Sequence, residues 1–359
     1  MTSATVAIHT LALLKKERGE TVYNFAAGDP ILPSHPKVIE AATTALGTEM
    51  VLYPPVAGIP ELRKAAAEWC HFKEANTLVT AGGKFAIFAA LQTLLQPGDE
   101  VLIPVPYWVS YPQMVKLFNA VPIFLQKLNV EMLKKHATAR SKILIINNAC
   151  NPTGVLYSQE ELTALMKTAK ELGLFVISDE VYSEIVYDGN RFCSCGTLSD
   201  NVLVVQSCSK NFAMTGWRVG FAFGPEHLIQ KMTALQSQST SGPSLVSQWA
   251  ALAALKNRAE ITHFVRSTMQ KRRDTFIETF NTLFQCQLEK PPSALYAFIP
   301  LSVFGETRSS AEFCQELMEK ANIACVPGSA FGQEGYIRMA FAETEFMIRE
   351  GLLALRKVI

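Results

Sequence analysis

KILIINNACNPTG (residues 142–154), a helical stretch at 158–171 and LGLFVISDEVY (residues 172–182) form the passage on which the fold turns. Each quoted run is short, apolar and rich in β-branched residues, which is the pattern of a strand buried on both faces. Each ends in polar residues: Asn147, Asn148 and Asn151 with a Pro-Thr-Gly turn in the first, Asp179 and Glu180 in the second. The stretch between them carries Glu and Lys on one side, as a helix covering a sheet does.

The same alternation extends outward. LVTAGGKFAIFAALQTLL (78–95) reads as a strand, a glycine turn and an apolar helix, and PGDEVLIPVPYW (97–108) as a turn and a further strand ending at two aromatics. NVLVVQ (201–206) is another buried strand, and it leads into SCSKNFAMTGWRVG (207–220). Strand and helix alternating from about 78 to 206 predict an α/β fold with a mostly parallel, doubly wound sheet. In such sheets ligands bind at the carboxyl ends of the strands. That edge gathers Gly83, Trp108, Asn151, Asp179 and Lys210.

Composition narrows the function classes. The chain has 359 residues, 49% hydrophobic and 18% charged, with a formal charge of +1. That length suits about two domains at roughly 150 residues each, and the composition suits a globular protein rather than a disordered one. The near-neutral charge gives no reason to expect a nucleic-acid or membrane partner. Eight cysteines without a secretory signal read as reduced thiols in a cytoplasmic protein. Cys193 and Cys195 are too close together for a zinc site, and the six histidines show no metal-ligand spacing, so no metal is expected.

At the N-terminus, MTSATVAIHTLALLKKERGE reads as an arm and a short helix. VYNFAAGDP (22–30) is a strand entering a turn at Gly28, and SHPKVIEAATTAL is a helix with a Ser cap. Tyr53 stands in an extended, proline-rich lead-in to a helix that opens at Pro60. Beyond Gly220, SLVSQWAALAAL is expected to continue through KRRD (271–274) as one long helix. From about 277 the pattern is α+β, with YAFIPL, IACVPG and YIRMAFA as strands and AEFCQELMEKA as a helix. Arg338 lies inside the last strand, where burial is costly unless it meets an anion.

The chemistry centres on residues 207–220, which hold Ser207, Ser209, Lys210 and Arg218 beside Gly216 and Gly220. Gly82 and Gly83, at a helix start, add a second place where backbone N–H groups can meet an anion. Ser207 and Lys210 also have the Ser-x-x-Lys spacing of β-lactamases and penicillin-binding enzymes. There, however, the Ser-Asp-Asn element follows, whereas Ser199-Asp200-Asn201 precedes and no Lys-Thr-Gly comes after. A lysine, an aspartate, a phosphate cradle and a carboxylate-binding arginine are together what pyridoxal phosphate chemistry needs.

With NPTG, SDEVY and SxSKxxxxxGxRxG in one chain, the sequence resembles the fold-type I, class I aminotransferases, and among them the bacterial aspartate aminotransferases with their prephenate-using subgroup. The resemblance spans nearly the whole chain. It implies a large cofactor-binding domain at 46–276, a smaller α+β domain from 13–45 and 277–359, and an arm at 1–12. It implies pyridoxal 5′-phosphate joined to Lys210, which also shuttles the proton, with Asp179 at the pyridine nitrogen and Tyr182 and Asn151 at the phenolate oxygen. Trp108 would stack on the ring. Ser207, Ser209, Arg218 and the backbone at Gly82, Gly83 and Lys84 would hold the phosphate, with Tyr53 reaching in from the second subunit of a homodimer.

Amino acid and 2-oxo acid substrates would be gripped by Arg338 at the α-carboxylate, helped by Gly28 and Asn151. Lys84 and Thr5 would meet a side-chain carboxylate, which points to L-aspartate with 2-oxoglutarate in a ping-pong cycle. Prephenate or aromatic amino acids are alternative substrates, and a C–S lyase of the same fold or a binding protein on a spent scaffold are alternative readings. The chain departs from the family pattern at Ala149 and Cys150, where a proline is usual, at Ala294, where glycine is common, and in short segments at 70–77 and 125–142. Cys208 reads as a packed thiol.

Overall fold

The computed structural model describes residues 4–48 and 51–359, and the side chains of residues 4–7, 9 and 48 lie outside that description. Helix α1 (Ala4–Glu17) opens it, so helix occupies much of the segment expected to be an arm. Strand β1 (Tyr23–Asn24) follows, then α2 (Pro36–Thr48) and α3 (Pro60–Cys70). The expected Ser cap on α2 is not formed. Ser34 Oγ instead accepts a hydrogen bond from Trp217 Nε1 at 2.8 Å, while His35 Nδ1 accepts the Lys37 N–H at 3.4 Å.

The central sheet is laid down by β2 (Thr77–Thr80), α4 (Gly83–Leu94), β3 (Glu100–Pro104), α5 (Ser110–Leu117) and β4 (Val121–Leu125). It continues through α6 (Val130–His136), β5 (Ser141–Asn147), α7 (Gln159–Glu171), β6 (Phe175–Asp179), β7 (Val202–Ser207), α8 (Cys208–Asn211) and β8 (Gly220–Phe223). Its order is β2-β8-β7-β6-β5-β3-β4, parallel except at β8, which runs antiparallel to both neighbours. Residues alternate between the faces as the strand period dictates. Leu102, Leu144, Ile146, Val176 and Val204 pack on one side, and Val101, Ile103, Ile143, Ile145, Ile177 and Val205 on the other. Burial on both faces is why these strands are unbroken apolar runs. The chain leaves β3 in one direction toward β4 and returns to β5 on the other side, so the crossovers reverse between β3 and β5.

Helices α9 (Glu226–Ser237), α10 (Leu245–Lys256) and α11 (Arg258–Phe284) come next. The single long helix expected here is broken at Asn257, whose φ of −112° and ψ of 27° leave the helical region. Its side chain donates to the Ala253 carbonyl and accepts from Lys37 Nζ, giving the backbone a local alternative to continuing the helix.

The remaining elements are β9 (Tyr296–Pro300), α12 (Ser310–Ala321), β10 (Ile323–Ala324), β11 (Val326–Pro327), β12 (Tyr336–Ala340) and α13 (Glu345–Val358). The segment read as one strand, IACVPG, is two. β10 pairs in parallel with β1, and β11 pairs with β12 in an antiparallel sheet of order β11-β12-β9. The Ala340 N–H donates to the Phe25 carbonyl at 2.7 Å, which lays residues near the start of the chain alongside β12.

Candidate active site

Chain reversal between β3 and β5 opens a cleft of about 220 Å³ at the carboxyl ends of the strands. Gly28, Gly83, Lys84, Trp108, Asn151, Asp179, Tyr182, Ser207, Ser209, Lys210, Arg218 and Arg338 all line it. Gly82 caps the helix α4 beside it. Tyr53 lies apart from the cleft and is 92% exposed. The side chain of Thr5 is outside the described residues.

The end of β7 carries the reactive cluster. Ser207 caps α8 by accepting the Ser209 N–H, and its Oγ lies 3.0 Å from Ser209 Oγ. Lys210, in that single turn, donates from Nζ to the Gly28 carbonyl at 2.8 Å and pairs with Asp29 at 3.2 Å. Arg218 adopts a left-handed backbone (φ 57°) and donates from Nη1 to the Thr215 carbonyl at 2.9 Å. Its guanidinium stands where a side chain on Gly82 would go, since a Cβ there would be 2.5 Å from Nη2. A Cβ on Gly220 would lie 2.5 Å from the Gly82 carbonyl carbon, so glycine at both places lets β8, the turn and α4 close together. The first N–H groups of α4 have no intrahelical acceptor, and with Arg218 and the serines they form an anion cradle.

Asp179 ends β6 in a buried position. Burial raises its pKa to about 6, opposed by a hydrogen bond from the Tyr111 hydroxyl at 2.6 Å and one from the Val181 N–H. The carboxyl therefore sits in an apolar setting with no cation bonded to it among the described residues, which suits a ligand bringing a protonated ring nitrogen. Tyr182 Oη lies 2.6 Å from Tyr296 Oη, and burial holds the Tyr182 phenol well above its ordinary pKa.

Arg338, on β12, is 2% exposed. It donates to Asn151 Oδ1 at 3.1 Å and to the Ala26 carbonyl at 2.7 Å, and lies over the rings of Tyr296 and Phe331. Its Nε is buried with no acceptor among the described residues, a donor left for a bound carboxylate. Lys84 Nζ sits 5.0 Å over the Trp108 ring, and its pKa is lowered by partial burial and then by Arg218 and Lys210. Four cationic side chains therefore face one cleft with Asp179, an arrangement that selects a ligand carrying several negative charges.

Asn147, Val181 and Tyr296 also line the cleft, and Tyr111 reaches it through Asp179. The sequence marked Asn147 only as a polar residue at a strand end, and it passed over Tyr111 and Tyr296, because an aromatic within an apolar run signals core and nothing local links Tyr296 to Tyr182. The unusual Asn148–Ala149 peptide bond is cis, as are Val105–Pro106 and Asn151–Pro152. Ala294 has φ 62°, the left-handed region that explains why glycine suits this position. Cys208 is buried and its pKa is pushed up by burial, as a packed thiol requires. No cluster of metal-ligating side chains occurs among the described residues, and no described helix is long and apolar enough to cross a membrane.

Residues 20–355 match the family model described as aminotransferase class I and II. The chain is 36% identical over 377 residues to the probable aspartate/prephenate aminotransferase of Aquifex aeolicus, covering 99% of this chain and 96% of that one. It is 35% identical over 360 residues to the aspartate aminotransferase of Geobacillus stearothermophilus, covering 95% and 92%. Among solved structures, the aspartate aminotransferase of Thermus thermophilus with maleate superposes with a TM-score of 0.95 at 36% identity, covering 100% of this chain and 97% of that one.

Proposed function

Because this chain belongs to the class I and II aminotransferase family, we propose that it moves an amino group between L-aspartate and 2-oxoglutarate by a ping-pong mechanism dependent on pyridoxal 5′-phosphate. The observation that carries this reading is the convergence of Lys210, Asp179 and Arg338, from three separate elements, on one cleft. When bound, pyridoxal 5′-phosphate supplies the electron sink through which amino groups change hands.

The residues present fit that group. Ser207, Ser209, Arg218 and the backbone at Gly82, Gly83 and Lys84 would hold its phosphate, Trp108 its ring face, and Tyr182 and Asn151 its phenolate oxygen. Asp179 would keep a proton on the ring nitrogen, and Lys210 Nζ would be the point of attachment and then the base that carries the substrate proton. Arg338, with Asn151 and the Gly28 backbone, would bind the α-carboxylate. Lys84 would bind the distal carboxylate, with Thr5 beside it, and the Thermus relative's maleate is likewise a dicarboxylate. The reading includes a cytoplasmic homodimer in which Tyr53 completes the neighbour's phosphate site, with a large unit at 46–276 and a smaller one at 13–45 and 277–359.

The names of the Aquifex and Thermus relatives favour a second acceptor, prephenate. The test is spectroscopic. Adding L-aspartate to the loaded protein should shift the visible absorption, and 2-oxoglutarate should restore it; prephenate restoring it as well would support the second acceptor. Lys84→Ala should lower the preference for aspartate over alanine by roughly 10- to 100-fold, the worth of a hydrogen bond to a charged group. An absent visible band, or one that Lys210→Ala leaves intact, would remove the mechanism. An unchanged aspartate-to-alanine ratio would remove the dicarboxylate assignment.

A further inference from the structure

The backbone of Asp179 is tied down by its neighbours: its carbonyl accepts from the Asn148 N–H at 3.1 Å and from Asn147 Nδ2 at 3.0 Å. The carboxylate has fewer constraints. The Val181 N–H reaches Oδ1 at 3.4 Å, whereas the Tyr111 hydroxyl donates to Oδ2 at 2.6 Å. Tyr111 is itself fixed. It is 2% exposed in the first turn of α5, its N–H donates to the Trp108 carbonyl at 3.0 Å, and its ring meets Trp108 edge-on at 5.3 Å. A phenylalanine would fill the same space, so the hydroxyl is used for the contact with Asp179.

We propose that Tyr111 is a positioning residue for Asp179, fixing which way its carboxylate faces and coupling it to Trp108 through a single helical turn. The proposal rests on the function proposed above, in which Asp179 meets the cofactor's ring nitrogen and Trp108 its face. The groups around that carboxyl are Tyr111 on α5, Cys150 after β5, Glu180 and Tyr182 beyond β6, and Lys210 across the cleft. Burial favours the neutral forms of Cys150, Glu180 and Tyr182, which leaves the Tyr111 hydroxyl as the short side-chain donor to Asp179 among the described residues.

Tyr111→Phe tests this, with Tyr107→Phe, a ring stacked on Phe124, as the control. In cofactor-free protein carrying carbon-13 in its aspartate carboxyls, the Asp179 signal is the one missing from Asp179→Asn. It should titrate near pH 6 in the wild type, at higher pH in Tyr111→Phe and unchanged in Tyr107→Phe. Affinity for pyridoxal phosphate should fall roughly 10- to 100-fold in Tyr111→Phe alone. An Asp179 titration that does not move in Tyr111→Phe overturns the proposal, whether or not the cofactor binds. A wild type that takes up no cofactor instead overturns the function proposed above. Should Tyr111→Phe not fold, replacing the tyrosines with 3-fluorotyrosine, whose hydroxyl is a stronger donor, should lower the pH at which the Asp179 carboxyl titrates, since Tyr111 is the tyrosine that donates to it, and an unmoved Asp179 titration would overturn the proposal.

Discussion

Asp179 carries a charge in a place that disfavours it. Its pKa is raised from 3.8 to about 6 by burial, so the folded, cofactor-free protein binds a proton more tightly than the unfolded chain does. Stability from this group is therefore present at low pH and lost as pH rises through the window from 3.8 to about 6. Asp179→Asn should stabilise the cofactor-free protein at pH 8 by on the order of 2–3 kcal/mol, with the gain shrinking toward pH 4, while abolishing transfer. Thermal unfolding across pH checks this, and a gain independent of pH would contradict it. Lys210, Asp179 and Arg338 were legible in the sequence because a charged residue beside an apolar strand needs a reason. Tyr111 and Tyr296 were not, since an aromatic in such a run is indistinguishable from core until the fold shows where its hydroxyl points.

Among the elements, a tight demand at the site falls on Gly220, paired with Thr80 on β2 and Ser207 on β7. A methyl group here would press on the backbone at Gly82 and Gly83, which cannot swing aside as a side chain can. Gly220→Ala should cost about 1–3 kcal/mol of stability and weaken pyridoxal phosphate binding, because it separates the turn from the strand that carries Ser207. Melting curves and cofactor titration would show both, and no change in either would contradict this role for Gly220. Strands and helices that position the cleft were legible from their periodicity and turn residues. The helix break was not, because Asn257 differs little in sequence from any solvated polar residue, and its bonds to the Ala253 carbonyl and to Lys37 are visible only in the fold. Strand β4 and helices α5, α6, α8, α9 and α13 were not read from the sequence either.

For the whole molecule, parallel βα alternation was enough to fix the class of fold, and the cleft followed from it. The antiparallel placement of β8 was not legible, since a strand's neighbours depend on closure across the chain rather than on its own residues. Tyr53 is 92% exposed and is flanked by Leu52 at 64% and Val51 at 48%, apolar surface that a second subunit would cover. Sedimentation should accordingly give about twice the 39.6 kDa of one chain. A monomer that retains full activity would contradict the shared site.

Under the function proposed above, Lys210 is the amine to which the cofactor attaches in this cleft. Reducing the loaded protein with borohydride, digesting it and locating the added mass tests this most directly. The mass should appear on the peptide containing Lys210 and be lost in Lys210→Ala. Attachment at Lys84 or another lysine, or no attachment, would contradict it.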